Sequence, residues 1–424
     1  MKTRLVTLLL GGIVLFIPVS CKKEKDNSVE IINRETYELM QIVYLWNTHL
    51  PASVDPSAYS TPADFLDAIR YDEYDKWSAI ITKDEFSQYF EEGTMIGHGF
   101  MLGLDDAENI RIAFVYTSTQ AYQQGVRRGW IVEKVNGTVA TPSNVWDLLG
   151  ESEIGVRNEI TFTNGDGTLV TKDLTKEEVD ITPVLHYEVL EQGTSKIGYL
   201  VFQDFIDAAN DELDEAFDSF SVAGINDVVI DMRYNGGGSV DVAEHLAGWL
   251  IGKDFANQPF VKYQHNMNLA IDEDTTINIK SNPSGLSLNR IFFIGTENTA
   301  SASELMINGV KPYVESILAG STTHGKPVGM YVFEFRDYDW VVLPVCFKYS
   351  NADNEGDFYD GLQPALSAED DITRDFGDPE EASLKAILDY IETGVIPLKS
   401  TGSAGYKTSL IESDKALNQY LKAY

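Results

Sequence analysis

The chain has 424 residues, 43% hydrophobic and 23% charged, with 32 basic against 66 acidic side chains and a formal net charge of −34. That length allows two or three domains, and the balance is that of a folded protein with a solvated acidic surface. Such a surface repels nucleic acid and anionic lipid headgroups, which excludes both as electrostatic partners.

The elements are taken in chain order. In residues 1–20, Lys2 and Arg4 precede an apolar stretch and then small residues. This is the pattern of an export signal, too short to span a membrane. The Pro-Val-Ser-Cys junction at Cys21 resembles the lipobox of bacterial lipoproteins. That resemblance implies an exported protein anchored to the bacterial cell envelope by lipid on Cys21, at the outer membrane with a periplasmic or exterior face. Residues 21–29 read as a polar tether. Cys346, in the apolar run "VVLPVCFKY", is the only other cysteine and is expected to be a buried thiol.

Residues 30–92 carry helical spacing in "ETYELMQIVYLW" and "TPADFLDAIR", separated by Pro51 and Pro56, and read as a small helical domain. Residues 95–178 change to short β-like runs ("NIRIAFVY", "WIVEKVNG", "NEITFTNG") between glycine turns. Residues 181–398 alternate strand and helix: "GYLVFQDF", "DELDEAFDSF", "DVVIDM", "SVDVAEHLAGWLIG", "RIFFIG", "SASELMINGV" and a last helix in "PEEASLKAILDYIE". Leu213, Ala216, Phe217 and Phe220 share one face of the first of these helices. The alternation predicts a layered α/β domain, and residues 399–424 form a polar tail.

Three turns in the α/β region could carry chemistry. Ser301 in "NTASASE" lies where a strand gives way to a helix, and serves there either as a helix cap or as a nucleophile. The N–H of Ala302, in the first turn of that helix, could hold an oxyanion. The loop "DMRYNGGGSV" puts Gly237 and Gly238 between strand and helix, where they serve either as a plain turn or as a second oxyanion donor. Lys326 in "STTHGKPVGM" is either a solvated lysine or, if desolvated, a general base. His324, two residues earlier, is a possible alternative base.

Together "VVIDMRYNGGG", "NTASASE" and "GKPVG", in this order, resemble the carboxyl-terminal processing peptidases, or tail-specific proteases. The resemblance spans roughly residues 35 to 395 and includes "GLQPALSAEDD" near its end. It implies a crotonase-like α/β peptidase core with a Ser–Lys dyad, Ser301 as nucleophile and Lys326 as base, 25 residues apart. Beside it the turns offer an oxyanion hole from Ala302 with Gly237 or Gly238, and Ser303, Glu304, His324 or a backbone carbonyl as the supporting group that orients the lysine. The stretch "TSTQAYQQGVRRGWIVEKVNG" reads like a PDZ signature, with Gly129-Trp130 standing where Gly-Asp is usual. In that reading Gly99, Phe100, Met101 and Leu102 form the loop that binds a substrate's C-terminal tail as an added strand.

The implied activity is that of a serine endopeptidase acting on protein or peptide substrates, without cofactor. Two positions depart from the family pattern. Pro312 and Met330 stand where some members carry a polar residue that orients the lysine, and neither can do so by hydrogen bonding. That departure is what favours a second reading, a non-catalytic peptide-binding lipoprotein that keeps the fold. No metal site is expected. The six histidines lack ligand spacing, and the calcium-like "DNEGDFYDG" has Phe358 where such a loop needs glycine.

Overall fold

The computed structural model describes residues 28–88, 92–288, 290–396 and 408–411. The segment read as an export signal, Cys21 and most of the tail lie outside these residues. A first helix, Ser28–Val43, begins inside the stretch read as tether and buries Ile32, Thr36, Met40 and Val43 along one face. A second, Pro62–Ile69, starts at Thr61, whose hydroxyl accepts the Asp64 N–H (3.1 Å).

The amino-terminal region is not purely helical, which corrects the sequence reading. Strand β1 (Ala79–Ile81) is buried throughout and pairs antiparallel with residues 341–343, far along the chain. Three consecutive apolar residues show no periodicity, so the strand was not legible.

The next module runs from β2 (Thr94–Gly97) to β9 (Glu177–Asp180), which pair with each other and bring its ends together close to the expected 95–178 limits. Between them, β3 (Phe100–Leu104), β4 (Ile110–Val115), β5 (Ile131–Val135), β7 (Arg157–Thr163) and β8 (Leu169–Thr175) form an antiparallel sheet in that order, with β6 (Thr138–Val139) on β5. One-turn helices at Gln120–Gln123 and Val145–Leu149 cover an apolar cluster that includes Leu102, Ile112, Val132 and Phe162.

Among the described residues the α/β region holds two sheets of its own and lends two strands to a third. The larger has the order β10 (Val184–Gln192), β11 (Ser195–Phe202), β12 (Asp227–Asp231), β15 (Arg290–Gly295), β16 (Glu315–Gly320) and β21 (Leu366–Ser367). It is parallel except for the β10–β11 hairpin. Alternate residues face opposite layers. Leu200, Phe202, Val228 and Ile230 meet helices Ala209–Ala223 and Val240–Phe255, whereas Ile197, Tyr199, Val229 and Phe292 meet helix Ala382–Thr393. Cover on both faces is why these strands read as unbroken apolar runs. The face predicted for Leu213, Ala216, Phe217 and Phe220 is fully buried.

The second sheet has the order β14 (Thr276–Asn278), β13 (Pro259–His265), β20 (Val345–Ser350) and β17 (Val328–Met330). Cys346 lies on β20 as a buried thiol that burial pushes up to about 12. Strands β18 (Phe333–Glu334) and β19 (Val341–Leu343) continue from β17 and complete a small sheet with β1. In the tail, β22 (Ser409–Leu410) pairs with β3 of the preceding module.

Module and α/β layer are joined through buried charge. Arg233, 1% exposed, binds Asp231 through Nε (2.9 Å to Oδ1) and Nη2 (2.6 Å to Oδ2), and also Asp370 (2.7 Å) and Glu381 (2.8 Å). Arg128 reaches in from the module to Asp370 (2.7 Å) and the Tyr234 hydroxyl (2.6 Å). Burial pushes the Asp370 carboxyl up, but Arg128 and Arg233 outweigh it and hold it at about 2. Its contribution to stability is therefore present above the ordinary carboxylate range and is lost as pH falls toward 2. Arg233→Ala leaves Asp231 and Glu381 buried without an arginine, while Asp370 keeps Arg128, and is expected to cost about 3–5 kcal/mol in urea unfolding at pH 7. A loss under 1 kcal/mol would show the network to be energetically idle.

Candidate active site

The loops after β12 and β15 leave the same end of the parallel sheet, where α/β proteins gather their ligands. Met232 N–H donates to Ile294 O (2.9 Å) and Ala300 N–H to Asn235 O (3.1 Å), so the two loops run side by side. Ser301 follows directly, as the residue that caps helix Ala302–Val310, with φ 53° and ψ −117°. A positive φ on a serine is a strained conformation, costing about 1–3 kcal/mol, and such strain gathers at functional turns. The side chain is 8% exposed.

Gly237 explains how the two loops fit. A Cβ there would lie 2.7 Å from Ser301 Cβ and 2.9 Å from Ala302 N, and its φ is +109°. Only glycine lets the backbone pass this close to the serine. Its own N–H donates to the Asn235 side-chain oxygen (2.9 Å). In this arrangement that hydrogen is committed to Asn235, so the expected oxyanion role of Gly237 requires its release. Gly238 (φ +133°) packs against the Phe205 backbone. Ser303 donates its hydroxyl to Asn235 O (3.1 Å), so it ties helix to glycine loop.

Lys326 is brought to this corner by Glu304. The Glu304 carboxylate, fully buried, accepts from Ser301 N–H (3.2 Å), Thr323 Oγ1, Gly325 N–H (2.7 Å) and Lys326 N–H (2.8 Å). One side chain thus fastens the serine turn to the lysine loop. Burial raises its carboxyl despite these four donors. Tyr349, on β20, repeats the tie from the other side, its hydroxyl contacting Ser301 O (3.0 Å) and Lys326 O (2.9 Å).

Lys326 is 0% exposed. Burial lowers its ammonium to about 7, while the charges of Asp75 and Glu304 pull the other way. An ordinary lysine is neutral at pH 7 in only about one copy in a few thousand, whereas one titrating near 7 is neutral in about half. His324 accepts the Trp77 indole N–H on Nε2 (3.1 Å), so that nitrogen has no open lone pair for a proton. Pro312 follows helix Ala302–Val310, and Met330 packs into apolar clusters at the end of β17.

Asp75, Trp77 and Tyr349 were missed in the sequence. Asp75 is 1% exposed and accepts from the Tyr44 hydroxyl (2.8 Å) and the N–H groups of Trp77 (3.0 Å) and Ser78 (2.9 Å). It sits in "YDEYDKWSAI", where aromatic and acidic residues read as surface. The apolar "WSAII" just after it is the signal that this aspartate turns inward.

A model of peptidase family S41 matches residues 196–367, and one of the S41 N-terminal domain matches residues 32–79. Together they take in more than half of the chain. The chain belongs to peptidase family S41. Ser301 and Lys326 of this S41 chain fall in the first matched segment, Asp75 and Trp77 in the second. The S41 chain is 25% identical over 348 residues to a CtpA-like serine protease of Staphylococcus haemolyticus, covering 80% of this chain and 63% of that relative. It is 22% identical over 336 residues to its counterpart in Staphylococcus aureus (strain COL), covering 78% of this chain and 64% of that one. The S41 chain therefore spans less than two thirds of these relatives. Its fold is similar to that of an S41 protease from Bacteroides fragilis NCTC 9343, with a TM-score of 0.72, 23% identity, and cover of 89% of this chain and 99% of that one. It is also similar to the photosystem II D1 C-terminal processing protease, with a TM-score of 0.50, 19% identity, and cover of 81% and 93%.

Proposed function

We propose that this chain is a serine endopeptidase of the bacterial cell envelope that takes protein or peptide substrates by their C-terminal tails and cleaves them through an acyl-enzyme on Ser301. The observation that carries the reading is the Glu304 clamp, which fastens a strained serine to the loop of a fully buried lysine titrating near 7. Neutral Lys326 takes the Ser301 proton as Oγ attacks the peptide carbonyl, and the departing amine receives that proton. Ala302 N–H, at the head of the helix, holds the oxyanion together with the glycine loop. Gly237 has to release Asn235 to join it, and Gly238 is the other donor in that loop. Water then cleaves the ester with Lys326 again as base.

The α/β layer is proposed as a crotonase-like core and residues 95–178 as PDZ-like. Support for the latter is Gly99 at φ +70° leading into β3, a strand already extended antiparallel by a short segment of this chain, β22, as a bound peptide would extend it. Gly99, Phe100, Met101 and Leu102 are its proposed tail-binding loop. Acylation of Cys21 is proposed from the lipobox-like junction, and multiple acyl chains would hold the protein firmly. Unmodified Cys21 in mature, membrane-extracted protein by mass spectrometry would refute it.

Hydrolysis of a short ester tests the dyad. Ser301→Ala and Lys326→Ala are each expected to abolish it. The wild-type rate should rise about tenfold per pH unit below 7 and level off above, because only the neutral lysine accepts a proton. Full activity in Lys326→Ala with loss in His324→Ala would transfer the base to the histidine. Absence of any Ser301-dependent hydrolysis would leave a peptide-binding protein with this fold.

A further inference from the structure

The edge of β3 is already occupied. Ser409 stands opposite Leu104 and Leu410 opposite Gly103, antiparallel, and Ile411 N–H donates to Leu102 O (2.9 Å). The segment runs toward Phe100 and Gly99, the direction in which an added peptide strand would bring its end to that loop. Ile411, 9% exposed, enters the apolar cluster of the module with Leu102, Val145 and Leu149. Leu410 faces the other way, into the cluster with Phe114, Tyr234 and Ile372. Thr408 completes the attachment, donating its hydroxyl to Asp370 O (2.7 Å).

We propose that residues 408–411 are a built-in competitor for the peptide-binding edge of β3, so that a substrate tail binds only as this segment leaves. The inference rests on the PDZ-like reading of residues 95–178 but not on the dyad. Three features fit a displaceable ligand better than a structural strand. The pairing covers two residues. Its side-chain grip is one apolar anchor on each face and one hydroxyl bond, from Thr408. Ile411 is an internal residue and brings no terminal carboxylate of its own to the loop at Gly99. A groove open only part of the time shows an affinity reduced by the open fraction.

The test measures binding alone, in the full chain carrying Ser301→Ala. The probe is a fluorescein-labelled peptide of residues 403–411, Ser-Ala-Gly-Tyr-Lys-Thr-Ser-Leu-Ile, with a free carboxylate. Adding Leu410→Asp and Ile411→Asp to that chain is expected to tighten probe binding about tenfold, with the melting transition retained. Equal or weaker binding, or none, overturns the proposal. A second measurement needs no tail variant. Saturating the Ser301→Ala chain with unlabelled peptide should speed hydrogen exchange at the Ile411 amide, and unchanged exchange overturns the proposal even if the double variant fails to fold. Failure of the peptidase reading would show separately, as ester hydrolysis that does not depend on Ser301.

Discussion

Replacing Lys326 with methionine is expected to abolish turnover and at the same time to stabilise the fold at and below neutral pH. The amine is fully buried and titrates at about 7, against an ordinary 10.5. Below about pH 7 it is protonated in both states, and the folded state bears the whole cost of a buried charge. Between 7 and 10.5 the unfolded chain holds the proton and the folded chain does not, so wild-type stability rises with pH. Methionine fills a similar volume without charge. The shift sets a ceiling of roughly 4–5 kcal/mol on the gain, and about 1–4 kcal/mol is expected at pH 6, fading toward pH 10. Urea denaturation of both proteins at the two pH values checks this. No gain at pH 6, or the same gain at both, would mean that the charge is not what burial penalises.

The second large effect is expected at Glu304. Its two oxygens take two donors each: Ser301 and Lys326 N–H on one, Thr323 hydroxyl and Gly325 N–H on the other. Glutamine is nearly isosteric but turns an NH2 group toward one of these pairs. Turned toward Ser301 and Lys326, it leaves two buried N–H donors facing a donor; turned the other way, it leaves one, Gly325 N–H, because the Thr323 hydroxyl can accept. At about 1–3 kcal/mol for each stranded donor, Glu304→Gln should lose about 1–5 kcal/mol of stability and on the order of 100-fold in kcat, because the serine and the lysine no longer share the same clamp. Glu304→Asp, which keeps the charge but shortens the reach, should fall between. Wild-type stability and kcat in Glu304→Gln would sink the clamp.

Much of this architecture was legible in the chain. Runs such as "DVVIDM" and "RIFFIG" announce strands buried on both faces, and the helix faces through Leu213 and Phe217 follow their period. Ser301, Ala302 and the glycine loop could be placed at strand-to-helix turns for the same reason. What stayed hidden depends either on partners distant in sequence or, at Gly237, on the geometry of a local turn. β1 is three residues long and takes its meaning from Val341–Leu343. β22 is a pair of residues in a polar tail, recognisable as a strand only once β3 lies beside it. Gly237 looked like a free donor because its Asn235 partner lies only two residues away, in a turn whose geometry the letters do not reveal. Asp75 was hidden by neighbours of surface character, although it is buried and its charge, with that of Glu304, acts on Lys326 against the effect of burial.

The pairing of β1 with β19 also bears on when the enzyme-like centre can exist at all. A chain that emerges from its amino terminus presents Asp75 and Trp77 some 250 residues before Lys326 and His324. The strand that seats them has no partner until residues 341–343 have emerged as well. Contacts of such sequence separation close late, after local structure has formed. A partly synthesised chain therefore lacks the lining of its own lysine pocket. The centre is completed only once residues 341–343 have been made, so a half-made copy holds no assembled site.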